Sequence, residues 1–239
     1  MNPIRELREF FHAALVAPVD QEPEDTPGQK TRRRVATAVT LVAGAVALWL
    51  TLTITPGDPR FYLASLGVAL VWVAGALASG KLYLGQARTR DGRAGPALLH
   101  GFLLGFALLV VFCAGAVVIS RVPVLVEPVE RLLDHARFGS LPLVAAITAV
   151  SGVAEELFFR GALYAALQHR WKVIGSTLLY GASTLGSGVP LLTFAALTLG
   201  LLTALQRRVT GGVLGPIVCH LTWSLGMLFV LPPLFGALR

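Results

Sequence analysis

Three ionisable side chains interrupt an apolar run in "SGVAEELFFRGALY", residues 151–164: Glu155, Glu156 and Arg160. On a helix, residues four apart face the same way, so Glu156 and Arg160 can pair. Glu155 is turned by about 100° from Glu156 and cannot share that pairing equally. A carboxyl without a cation at membrane depth either stays protonated or meets polar partners around a water-filled cavity. Beside trapped water, such a group suits general-base work. The bland alternative is a buried ion pair that orients helix packing. It accounts as well for Glu156 and Arg160, but less well for Glu155.

Other polar groups could join that carboxyl. In "GPIVCHLTWSLG", His220 and Ser224 are four apart and share a helix face. A histidine in a span often serves only as a packing hydrogen bonder, and His220 is the better site candidate because Ser224 stands beside it. In "LLYGASTLGSG", Ser183 and Thr184 are hydroxyls that usually bond back to the helix backbone. His12, His100, His135 and His169 fall at other depths. The cysteines, Cys113 and Cys219, have no paired spacing, so neither a disulfide framework nor a CxxC metal site is supported.

The elements that must position these groups are membrane spans. The chain has 239 residues, is 55% hydrophobic and carries only 14% charged residues, with a mean hydropathy of +0.71. A soluble domain carries about 25% charged residues. A net charge of +7 raises the question of nucleic acid, but the basic residues cluster in short segments between apolar runs, as topology signals do. No nucleic-acid partner is therefore expected. A crossing needs roughly 20 apolar residues. The runs are Val35–Ile54, Phe61–Ser79, Pro96–Ser120, Leu141–His169, a short Val173–Gly186, Val189–Gln206 and Gly212–Leu231. The first begins too far from the N-terminus for a signal peptide, so it is expected to stay as an anchor. With the N-terminus cytoplasmic, the inner segments hold fourteen Lys and Arg residues and the outer ones five, alternating loop by loop.

The expected fold is all-α: a polytopic membrane helix bundle of about seven transmembrane helices plus an N-terminal amphipathic helix. In "IRELREFFHAAL", Ile4, Leu7, Phe11 and Leu15 form one apolar stripe suited to lying on the inner surface. A polar, Pro-rich linker, expected to be disordered, follows it. Residues 1–34 thus form a cytoplasmic segment and 35–239 the transmembrane domain. "VEPVERLLDHARF" repeats the amphipathic pattern on the outer side. Gly101 and Gly105 form a GxxxG, read as close helix packing. The expected location is the plasma (inner) membrane, multi-pass, with the C-terminus outside.

"EELFFR" resembles the EExxxR motif of the CPBP family of intramembrane proteases, which includes CAAX prenyl endopeptidases and bacterial bacteriocin-processing and immunity-type membrane proteins. In that family FxxxH and then HxxxN follow on later spans. Here Tyr180…Thr184 and His220…Ser224 follow in the same order, and the resemblance covers about residues 140–231. It implies a glutamate-dependent endopeptidase acting on a membrane-associated peptide or protein. Glu155 would activate water and His220 would stabilise the oxyanion. Glu156 and Arg160 would organise the site or bind substrate backbone, with Tyr180, Thr184 and Ser224 at the remaining motif positions. Two positions depart: Thr184 stands for the histidine and Ser224 for the asparagine. A Glu/His/His zinc site would need a second histidine, so no metal or other cofactor is expected, although a metal stays open. Two alternatives remain. One is an inactive pseudoprotease acting as a binding or immunity partner; the other is a transporter or proton relay using Glu155 and His220.

Overall fold

The computed structural model describes residues 3–17, 25–55, 57–88, 94–137 and 140–238. It is an all-α bundle: α1 (Pro3–Leu15), α2 (Pro27–Leu52), α3 (Arg60–Ser79), α4 (Leu98–Ile119), α5 (Pro123–Arg137), α6 (Leu141–Ala166), α7 (Lys172–Ser183), α8 (Pro190–Thr210) and α9 (Leu214–Ala237). Helices close every backbone hydrogen bond within themselves, which hydrocarbon demands. Among the described residues the one sheet is a two-residue antiparallel pairing of Ala87–Arg88 with Ala94–Gly95.

Six helices, α2, α3, α4, α6, α8 and α9, are long and apolar enough to cross a membrane. Only 22–44% of each one's most apolar window is buried within the bundle. Large apolar side chains such as Val42, Leu70, Leu99 and Val111 face outward. That inside-out surface requires lipid around it. The seventh expected span is α7. It has 12 residues and spans about 18 Å, short of the roughly 30 Å of hydrocarbon.

Its ends nevertheless reach opposite faces of the bundle. At the start, Lys172 acts on Asp25, which is ion-paired at 2.6 Å to Arg33 of α2. Arg33 also donates to Ser79 and to the carbonyl of Lys81, just past α3. The same face holds Gln86, which donates to the Thr210 carbonyl, and Val213, which donates to the Tyr83 carbonyl. Beyond the other end of α7, Gly186 abuts Trp49 near the far end of α2. The 80–88, 170–172 and 207–213 loops thus share one face, and α7 returns the chain to the other.

Several sequence expectations change. Helix α2 begins at Pro27, inside the expected linker, because Thr26 and Gln29 form a reciprocal capping box with Pro27 at the first turn. Residues 18–24 of that linker lie outside the described residues. Two of the arginines read as inner-loop signals, Arg33 and Arg207, are buried and bonded into the bundle. In α1, Ile4, Leu7 and Phe11 face outward as the stripe predicts, whereas Leu15 turns inward with Phe10 and Ala14 to pack with Leu104, Cys219 and Leu202. Arg208 donates to the Leu15 carbonyl and ties α1 to the end of α8. On the opposite side, Val129 and Leu133 of α5 cover Ala116 and Phe235.

Gly101 and Gly105 lie where α4 meets α9. A methyl group at either would overlap the backbone carbonyl of Gly215 or Cys219. The small residues bring the two backbones together, and this fixes the depth of His220.

Candidate active site

The site helix α6 is not regular. From Leu157 to Leu163 it widens into a π-helical turn, and the Tyr164 N–H donates to the carbonyl of Phe159, five residues back. Such turns are rare and concentrate at functional sites. Here the turn begins immediately after Glu155 and Glu156 and contains Arg160. Two neighbours hold it. The Nε of Arg207 on α8 donates to the Arg160 carbonyl at 2.8 Å. Trp72 of α3 stacks on Phe158, with ring centroids 4.7 Å apart, and lies 5.1 Å from Phe159. Gly44 of α2 leaves the space that the Trp72 ring fills.

Glu156 and Arg160 are fully buried, with Glu156 Oε1 3.2 Å from Arg160 Nη1. The same Oε1 lies 2.9 Å from His220 Nδ1. The imidazole therefore sits directly against Glu156, while it faces Glu155 across a shared cavity. Among the described residues, Glu156 Oε2 and the three guanidinium nitrogens make no well-directed hydrogen bond. Instead, the guanidinium carbon lies 4.6 Å over the ring of Tyr180.

Glu155 is half-buried and takes a different partner: the Tyr180 hydroxyl donates to its Oε2 at 2.5 Å. Glu155, Tyr180, Ser183, Thr184 and His220 line one cavity of about 220 Å³, walled by Trp72, Phe159, Leu199 and Trp223 among others. That volume holds on the order of several waters. The indole nitrogens of Trp72 and Trp223 are buried without acceptors among the described residues. Thr184 donates to the Gly181 carbonyl at 2.7 Å, and its Oγ1 lies 3.1 Å from Thr193 Oγ1. Glu156, Arg160 and Ser224 are not on the cavity wall; the Ser224 hydroxyl is buried and has no hydrogen-bond partner among the described residues.

The structure thus brings Glu155, Tyr180, Thr184 and His220 to one hollow, with Glu156 and Arg160 behind it. Among the described residues no three His, Cys, Asp or Glu side chains converge as a metal site.

Residues 137–226 match the family model described as type II CAAX prenyl endopeptidase Rce1-like. The match agrees with the family that the motif resembles. It covers fewer than half of the residues and contains the whole constellation of Glu155, Glu156, Arg160, Tyr180, Thr184, His220 and Ser224. The Rce1-like segment begins in the last residue of α5 and ends within α9, so α1 to α4 stand outside it. No curated protein and no solved structure matches the chain.

The Rce1-like segment supports a membrane protein of the CAAX-protease kind. Sequence reasoning missed two parts of its site, Arg207 and Trp72; Tyr180 it named, without the bond that its hydroxyl makes. Arg207 carried the signal of a loop charge. Trp72 lies in a span with no motif. The hydroxyl of Tyr180 stands where the family pattern has phenylalanine, a difference visible in the sequence.

Proposed function

We propose that this chain is an intramembrane endopeptidase that hydrolyses a peptide bond of a membrane-associated peptide or protein, with Glu155 as general base and His220 as oxyanion stabiliser. The observation that carries the reading is the shared cavity: the Glu155 carboxyl and the His220 imidazole line one hollow with Tyr180, Ser183 and Thr184, among Leu, Ala, Phe and Trp side chains. Glu155 takes a proton from a water in the cavity, and the hydroxide oxygen bonds to the scissile carbonyl carbon. The carbonyl π electrons move to the oxygen, which His220 Nε2–H receives. Glu155 then gives its proton to the leaving amine nitrogen as the C–N bond breaks. Glu156 accepts from Nδ1 and so aims Nε2 away from itself, toward the hollow. Glu156 and Arg160 act through His220 and Tyr180 and do not touch substrate. The lipid bilayer is the other partner, and the arginine-rich face that gathers the 80–88, 170–172 and 207–213 loops is read as cytoplasmic.

Thr184 favours a second reading, a cavity that binds a peptide without cutting it, because a threonine cannot take a proton near neutral pH. Purified protein in liposomes, a panel of membrane-tethered peptides and mass-spectrometric detection separate the two. Cleavage that falls by about 10²-fold or more in Glu155→Gln supports the endopeptidase. Retained peptide binding with no cleavage supports the binder.

A further inference from the structure

Resting on the endopeptidase reading, we propose that Tyr180 is a positioning residue for the general base: its phenol holds Glu155, a task that falls to it because position 184 lacks an imidazole. Residues 180 and 184 are four apart at the end of α7, and both line the cavity. At such a spacing, a group lost at one position can be replaced from the other.

The Thr184 hydroxyl is already committed to the Gly181 carbonyl and to Thr193, and its hydrogen bonds among the described residues do not include Glu155. The Tyr180 hydroxyl does reach it, donating to Oε2 at 2.5 Å. Among the described residues this is the one hydrogen bond given to the Glu155 side chain.

The phenol is fixed from three sides. The Arg160 guanidinium lies 4.6 Å over its ring, and the Phe159 ring centroid is 4.7 Å away. Gly200 of α8 lies beneath it, where an added Cβ would come within 3.1 Å of its Cδ1. A hydroxyl held this way orients the carboxylate without adding charge to the site. By occupying Oε2 it leaves Oε1 for the proton of the attacking water. It also gives the Arg160–Glu156 pair a purpose beyond its own neutrality, because the guanidinium is the floor on which the phenol rests.

The test compares wild-type protein, Tyr180→Phe, Thr184→His and the Tyr180→Phe/Thr184→His double variant in liposomes. Tyr180→Phe keeps the ring and all its packing. On whichever tethered peptide the wild type cuts, kcat and KM are measured for each. Independently of cleavage, infrared spectroscopy follows the carboxylate stretch of Glu155, assigned by its loss in Glu155→Gln. Tyr180→Phe is expected to lower kcat about 10²-fold at unchanged KM and to displace the Glu155 band. The double variant is expected to regain most of the loss, and Thr184→His alone to gain little. A kcat within about twofold of wild type in Tyr180→Phe, a double variant no better than it, or an unmoved band overturns the proposal. If the wild type cuts no peptide, the endopeptidase reading falls, and the band alone decides whether Tyr180 holds Glu155.

Discussion

Glu156 stands between two cationic or potentially cationic groups, with Arg160 on its own helix and His220 on α9 both at Oε1. Removing one partner of a fully buried pair leaves an uncompensated charge, at a cost of about 3–5 kcal/mol. Arg160→Met is therefore expected to lower the thermal midpoint sharply in detergent. Glu156→Gln/Arg160→Met should recover most of that loss, since the charge and its partner leave together. A double variant as unstable as the single one would show that the pair matters through shape rather than charge. Residue types and spacing single out Glu155, Glu156, Arg160 and His220, which the fold brings near one another. Which carboxylate meets the imidazole was not legible, because the π turn and the depth of α9 decide it, and neither has a composition signal. The Tyr180 hydroxyl was in plain view as a difference from phenylalanine, but its reach to Glu155 depends on how α7 packs against α6.

At the scale of elements, the span-length runs were legible because a crossing helix needs a long apolar segment, and such segments stand out in composition. Their ends were less so. The start of α2 is ambiguous in sequence: "TPGQ" has the capping-box spacing but also reads as a Pro-Gly linker. Arg207 reads as a loop charge because it adjoins Arg208, whereas its Nε donates to the Arg160 carbonyl. The contact of α4 with α9 gives a clean prediction. Gly105→Val forces side-chain carbons into the Cys219 backbone, and overpacking costs about 1–3 kcal/mol. Thermal unfolding should report that loss. Gly115→Ala, on the same helix but facing open space, should leave the midpoint within error.

For the whole molecule, the crossing pattern predicts that cysteines introduced as Arg170→Cys and Gly188→Cys, with Cys113 and Cys219 replaced, react with an impermeant thiol reagent from opposite sides of a sealed vesicle. Labelling of both from one side would remove α7 from the count of crossings. The face bearing Arg170 also carries a pH dependence. The hydrogen bond from Arg33 is the main cause that holds the Asp25 carboxyl below its ordinary 3.8, aided by the charges of Arg33, Lys30 and Lys172 and opposed by burial. A depressed carboxylate contributes stability above its unfolded-state value and loses it as pH falls through the folded one. Acid below about pH 4 should thus loosen the start of α2, and Asp25→Asn should flatten that part of the stability profile. The short α7 has a further consequence. Lipid tails that border it must end where its polar ends do, and matching a deficit of several ångströms costs a fraction of a kcal/mol for each. Phospholipids with short or kinked chains should collect along that flank, the side from which Tyr180 meets Glu155. A bound peptide would then travel less far from the headgroups to the carboxylate there than across any other side of the bundle.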